Sequence, residues 1–131
     1  IFHYLVGNAD AHAKNYSLLY QGKTPVLAPV YDVVCTDVYS LAKNMAMKIG
    51  ERSLPDTIRL EDWQKMVPDT RVAKRILSDD LLRMANGIEI EADRLLEELN
   101  DQNLYHPVLK KIRRTIGVRV RTIQKLMEKI A

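Results

Sequence analysis

The spacing of apolar and polar positions along this 131-residue chain changes character near residue 60. From there on it is helical. Leu60, Trp63, Met66 and Val67 share one face of a short helix that Pro68 ends. Asp69-Thr70 caps a predicted helix over Val72, Ile76 and Leu77, and Ser78-Asp79-Asp80 offers a fresh N-cap with acids in the first turn, where the helix dipole favours them. Leu81, Leu82, Ala85, Ile88, Ala92, Leu95, Leu96 and Leu99 then define a long amphipathic helix. Gly87 inside it costs about 1 kcal/mol relative to Ala, which makes Asn86-Gly87 the candidate for a kink or break. After a loop from Asn100 to Pro107, Leu109, Ile112, Ile116, Val120, Ile123, Met127 and Ile130 form the buried stripe of a last helix running from Val108 to Ile130.

Upstream of residue 60 the apolar clusters are short and broken by turn residues. Ile1 to Val6 reads as the end of a helix stopped by Gly7-Asn8. Tyr16 to Tyr20 is a predicted strand, Gln21-Gly22-Lys23 its turn, and Pro25 to Val34 the return strand with Pro29 as a kink. Leu41 to Ile49 alternates loosely and predicts a third strand, followed by a loop over 50–56. The expected fold class is therefore mainly α with a small antiparallel β-hairpin or sheet near the N-terminus. It is read as a single domain over 1–131, divided into 1–50, the loop and hairpin, and 51–131, a helical lobe.

Composition adds limits. A 47% hydrophobic content is enough for a sizeable core. The lone cysteine, Cys35, excludes an intrachain disulfide and fits a reducing interior, with a small buried hydrophobe as its expected role. No apolar run approaches the roughly 20 residues of a membrane span, and no basic-then-apolar start resembling a signal peptide is seen. The expected setting is cytoplasmic, without a membrane partner. The net charge of +3 hides an asymmetry: residues 107–131 carry eight Lys or Arg against Glu128, whereas residues 78–101 carry eight acids against Arg83 and Arg94. The basic helix offers a surface for phosphate contacts with nucleic acid, and antiparallel packing against the acidic helix offers an internal match for the same charge.

The chemistry concentrates in Gly7-Asn8-Ala9-Asp10-Ala11-His12-Ala13-Lys14-Asn15, and in Asp32, seventeen residues after Asn15 in the run Leu27-Ala28-Pro29-Val30-Tyr31-Asp32. Phosphotransferases place a catalytic Asp and a metal-binding Asn five residues apart on one loop. One carboxylate orients or accepts the proton of the attacking hydroxyl, and amide and carboxylate oxygens hold the Mg²⁺ that bridges the nucleotide phosphates. Asp10 suits the first task, and Asn15 with Asp32 the second. Taken alone, D-x-x-x-x-N occurs in many loops, and a Gly-Asn-Ala-Asp turn is an ordinary N-cap or turn.

The full string G-N-x-D-x-H-x-K-N, followed by an apolar hairpin and a Tyr-Asp pair, resembles the signature of the HipA-like serine/threonine kinase family, the toxins of two-gene toxin–antitoxin modules. The motif-bearing resemblance covers roughly residues 1 to 50, and the remainder matches as a helical lobe. It implies Asp10 as catalytic base, His12 through Asn15 (with Lys14) against the nucleotide phosphates and metal, and Tyr31 with Asp32 closing the ATP site. It also implies Mg²⁺, ATP as co-substrate, a protein Ser/Thr substrate and a DNA-binding antitoxin as partner. No Gly-rich phosphate loop is present, and the chain begins on Ile1 just before the motif. The expectation is a C-terminal lobe that needs a missing N-terminal kinase lobe and is inactive alone. Two other classes fit parts of the pattern: a small-molecule phosphotransferase lobe of the antibiotic or choline kinase kind, and a non-catalytic helical module that binds an antitoxin or DNA.

Overall fold

A computed structural model describes residues 1–129. Two long helices, α3 over Arg71–Asp101 and α4 over Pro107–Glu128, pack along one another and carry a loop-rich segment made of residues 1–70. Arg113 reaches Asp93 and Gln124 reaches Asn86, so the two helices run antiparallel. Ahead of them come a one-turn helix α1 (Phe2–Leu5), a hairpin of β1 (Leu18–Gln21) and β2 (Thr24–Leu27), and a short helix α2 (Leu60–Gln64). Single 3₁₀ turns occupy Ala13–Asn15, Thr36–Val38 and Pro55–Thr57. The mainly α class with one antiparallel hairpin near the N-terminus is the observed one.

The core forms where α1, α2 and the two long helices meet. Leu5, Leu81, Val120 and Ile123 are fully buried, joined by Tyr4, Ile58, Trp63, Leu77, Ala85, Ile116 and Met127. Burying each large aliphatic side chain contributes about 1.5–3 kcal/mol. Trp63 is the anchor of α2, as its spacing predicts: it is 3% exposed and meets the Tyr4 ring edge-on at 5.4 Å between centroids. The α4 stripe is buried at Ile116, Val120, Ile123 and Met127, while Ile130 lies outside the described residues.

Several boundaries differ from the expectation. The return strand stops at Leu27, not Val34; Ala28 N–H still donates to Ser17 O (2.8 Å), but Pro29 has no N–H to continue the ladder. Residues 41–49 form no strand. Their alternation has no neighbouring strand to pair with, and Met45 N and Ala46 N donate instead to the loop carbonyls of Ser53 and Ala9, leaving one isolated bridge, Ile49 to Arg52. The two helices predicted around Ser78 are one continuous α3. Thr70 does cap it, its Oγ1 accepting Ala73 N–H at 3.1 Å, but Ser78 Oγ turns back to Lys74 O at 3.0 Å and caps nothing. The helix runs through Asn86-Gly87 without a break. The helix α2 is shorter than its pattern, ending at Gln64, and α4 begins one residue earlier than predicted, with Pro107 in its first turn and His106 Nδ1 accepting Val108 N–H.

Candidate active site

The hairpin register builds the site. Leu18 pairs with Leu27, Ser17 with Ala28, and the same register continued past the ladder sets Tyr31 against Lys14: Tyr31 OH donates to Lys14 O at 3.0 Å and lies 2.8 Å from Ser17 Oγ. One residue on, Asp32 adopts φ 55°, a left-handed conformation that Asp tolerates better than most residues. There its Oδ2 accepts from Asn15 Nδ2 at 2.7 Å. Asn15 itself is buried at the end of the Ala13–Asn15 turn, and its Oδ1 accepts His12 N–H at 3.1 Å. Two polar residues seventeen apart in sequence are thus in direct contact.

Asp10 is exposed, and its carboxylate makes no hydrogen bond among the described residues. It lines an open cavity of about 420 Å³ together with Ala9, Thr36, Leu41, Ala42, Asn44 and Ala46. The bonded neighbour of Asp32 is Asn15, and the link to Asp10 runs through Asn8. That buried amide accepts Asp10 N–H on Oδ1 at 3.1 Å and approaches Asp32 O with Nδ2 at 3.4 Å. His12 is half-buried, and Lys14 is exposed on the same turn. Tyr31 keeps its hydroxyl on Lys14 and Ser17 and is 42% exposed as a residue.

The loop is fixed from behind by residues that sequence reasoning missed. Thr36 Oγ1 accepts Ala9 N–H at 2.8 Å and donates to Gly7 O at 3.1 Å, and Asp37 N–H donates to the same carbonyl. Asp37 in turn meets Arg119 of α4 at 2.7 Å, and Arg119 also holds Asp56 at 2.6 Å. Arg119 is 4% exposed and sits 5.3 Å from the centre of the Tyr4 ring. Burial opposes its charge, but the hydrogen bond and charge of Asp37, with the hydrogen bond to Asp56, prevail and raise its pKa. Gly7 permits this close packing: at φ 72° it is left-handed, and a Cβ there would lie 2.6 Å from Thr115 Cγ2 of α4. A signal for Arg119 did exist. It falls between Ile116 and Ile123 on the apolar stripe, at a spacing where a cation needs a buried partner.

The charge asymmetry resolves in part into internal pairs. Arg113 bridges Glu89 and Asp93 of α3, and Arg119 is buried, so neither belongs to a free basic surface. Lys110, Lys111, Arg114, Arg121, Lys125 and Lys129 remain exposed. Cys35 is buried against the loop, and burial, then the Asp37 charge, pushes its thiol pKa up, in keeping with a packing role. Among the described residues no helix is long and apolar enough to cross a membrane.

The sequence profile of the HipA-like C-terminal domain matches residues 1–102. A putative kinase, Y4mE, of Sinorhizobium fredii is 34% identical over 102 residues, 77% of this chain and 24% of that protein. The serine/threonine-protein kinase toxin HipA of Shewanella oneidensis is 32% identical over 89 residues, 67% of this chain and 21% of that protein. A solved structure of the Shewanella oneidensis HipA, HipB and operator DNA complex superposes with a TM-score of 0.76 over 97% of this chain and 31% of the solved one, at 22% identity, which speaks for the fold and extends the likeness across α4. The chain spans less than a third of the length of each of these relatives. With the profile covering the whole site and all of α3, the chain belongs to the HipA-like C-terminal domain family.

Proposed function

We propose that this chain is the lobe of a HipA-like protein kinase that carries the catalytic and metal-binding loop, and that the whole protein transfers the γ-phosphate of ATP to a Ser or Thr hydroxyl of a protein. The observation that carries this is the contact of Asn15 with Asp32 at 2.7 Å, linked through Asn8 to an Asp10 that is unpaired among the described residues and opens onto a cavity. Asp10 faces solvent, so an incoming hydroxyl can reach its carboxylate and give up its proton there. The donor set would suit Mg²⁺: Asp32 has carboxylate oxygens, and Asn15 Oδ1, which accepts His12 N–H, keeps a second lone pair, so two adjacent segments would supply hard oxygen ligands and leave the remaining positions to phosphate oxygens and water. Bound there, the ion would neutralise charge on the β- and γ-phosphates. His12 and Lys14 would border the phosphates, and Tyr31 with Asp32 would close the nucleotide site.

The covering phosphate loop and the Lys for the α- and β-phosphates are assigned to a second, N-terminal lobe, so the 131 residues alone are expected to give background incorporation from labelled ATP. A DNA-binding antitoxin is the proposed partner, in line with the HipA, HipB and DNA complex that the fold resembles, and the exposed cations of α4 are the candidate contact with DNA phosphates.

The test separates the roles in the full-length protein. Asp10→Asn should leave metal-dependent ATP binding intact by calorimetry and lower single-turnover transfer by about 10²–10⁴-fold, the usual range for a general base. Asp32→Asn should weaken Mg²⁺ and ATP binding and recover in part at high Mg²⁺, and Asn15→Ala should follow it more mildly. An Asp10→Asn variant that loses ATP binding while Asp32→Asn keeps it would reverse the assignment.

A further inference from the structure

We propose that Asn8 is a positioning residue of this site: its single buried amide sets the backbone of Asp10 and that of Asp32 against each other, with His3 as the third anchor. The role rests on the kinase assignment above, because it is the relative placement of those two acids that phosphoryl transfer requires.

Asn8 is 4% exposed. Its Oδ1 accepts Asp10 N–H at 3.1 Å, which fixes the orientation of the amide, since Nδ2 has no lone pair to offer that N–H. Nδ2 therefore points the other way with two donors. One lies 3.1 Å from His3 Nδ1 and the other 3.4 Å from Asp32 O. Because Nδ2 donates, His3 Nδ1 must accept, so the imidazole is neutral with its proton on Nε2. The surroundings agree. Phe2 and Tyr16 flank the His3 ring edge-on at 5.7 and 5.9 Å, and burial lowers its pKa. Lys48 borders the same cavity and no acid lines it beside the ring, so the charge that cavity brings also disfavours a second proton.

No direct bond joins Asp10 to Asp32 among the described residues, and 22 positions of chain separate them. Thr36 restrains the far side of the loop, through Ala9 and Gly7, but makes no bond to Asp32. Among the described residues Asn8 alone hydrogen-bonds to the backbone on both sides of the gap. A displacement of about 1 Å between reacting groups can cost 10²-fold in rate, so removing this amide should act on turnover more than on ATP affinity.

The experiment uses the full-length protein with Asn8→Ala and the isosteric Asn8→Asp, read by single-turnover transfer, the KM for ATP, and NMR titration of the His3 ring. Asn8→Asp puts an acceptor where a donor faced His3, so the His3 midpoint should rise by about one pH unit or more. Its carboxylate also faces Asp32 O without a proton to donate, so kcat should fall roughly tenfold or more with KM for ATP changed less than about threefold. Asn8→Ala should fall further, and if it does not fold, Asn8→Asp carries the test. An unmoved His3 midpoint in Asn8→Asp would overturn the contact; a moved midpoint with wild-type kcat would overturn the positioning role. A wild-type protein that transfers no phosphate while His3 still responds would sink the kinase assignment, and the role given to Asn8 with it, leaving the hydrogen bonds standing.

Discussion

The two halves of this molecule are held by different forces. From residue 60 on, α3 and α4 present leucines, isoleucines and valines at helical spacing and bury them against one another, so the structure follows from apolar area. Residues 7–56 bury little. Both strands of the hairpin are exposed along their length, and a lone two-stranded hairpin is marginal in water. That half is ordered by named polar bonds: Thr36 to Gly7 and Ala9, Asn8 to Asp10, Asn15 to Asp32, Asp62 to the 51–59 segment, and Arg119 as the tie to α4. The difference teaches where single substitutions should be costly. In the helical half loss is graded by volume, whereas in the loop half one bond removed leaves a buried polar partner without compensation.

The largest effect should come from breaking the tie between the halves. Arg119→Met keeps much of the side-chain volume against Tyr4 but leaves Asp37, itself only 12% exposed, without its cation. Removing one partner of a buried pair typically costs about 3–5 kcal/mol. Urea unfolding should show that loss, and amide exchange at Ala9 and Asp37 should quicken because both lie on the chain of bonds from Arg119 to Gly7. A loss under about 1 kcal/mol, in the range of a surface pair, would mean that α4 does not hold the loop through this residue.

A smaller effect is expected where the loop half meets α2. The Asp62 carboxylate, 5% exposed, accepts Arg59 N–H and Arg52 Nε at 2.9 Å each, with Glu51 N–H farther off. Burial alone would raise its pKa, but these hydrogen bonds and the Arg52 charge lower it. A folded-state pKa below the unfolded value of about 3.9 means that its contribution is complete above that pH and is lost as pH falls through the lower folded value. Asp62→Asn should therefore cost about 1–2 kcal/mol near neutrality, the scale of a charged hydrogen bond. It should also flatten the acid limb of the stability profile in that window. An acid limb identical to that of the wild type would show that Asp62 is not its source.

How far the sequence could be read follows the same division. The α4 stripe, the Trp63 anchor and the Thr70 cap were legible because periodicity and capping are local, and the hairpin was legible up to the proline that stops it. The third strand over 41–49 was misread because alternation records exposure and not the presence of a partner strand. In the site, Asp10, Asn15 and Asp32 stood out by residue type and spacing. The bonds made by Asn8, Thr36 and Asp37 did not, and the place of Arg119 on the apolar stripe called for a buried partner without naming it, because these bonds join residues up to 82 positions apart.

The smallest effect tests the helical half on its own terms, at the place where the sequence suggested a break. In the structure Gly87 lies inside an uninterrupted α3, exposed, and a Cβ added there meets nothing within 4 Å. Asn86 beside it supports the straight path, its Oδ1 accepting from Gln124 Nε2 of α4 at 3.1 Å. Glycine in a helix interior costs about 0.5–1 kcal/mol relative to alanine, through the extra freedom it has when unfolded. Gly87→Ala should therefore raise stability by that amount with no change in the urea m-value, since neither fold nor buried surface alters. A break at Asn86-Gly87 would give the opposite sign, because alanine would then resist the non-helical backbone that glycine had allowed. The sign of a shift below 1 kcal/mol thus decides between one helix and two, and a loss of stability would return α3 to the pair of helices that its Ser78 and Gly87 signals predict.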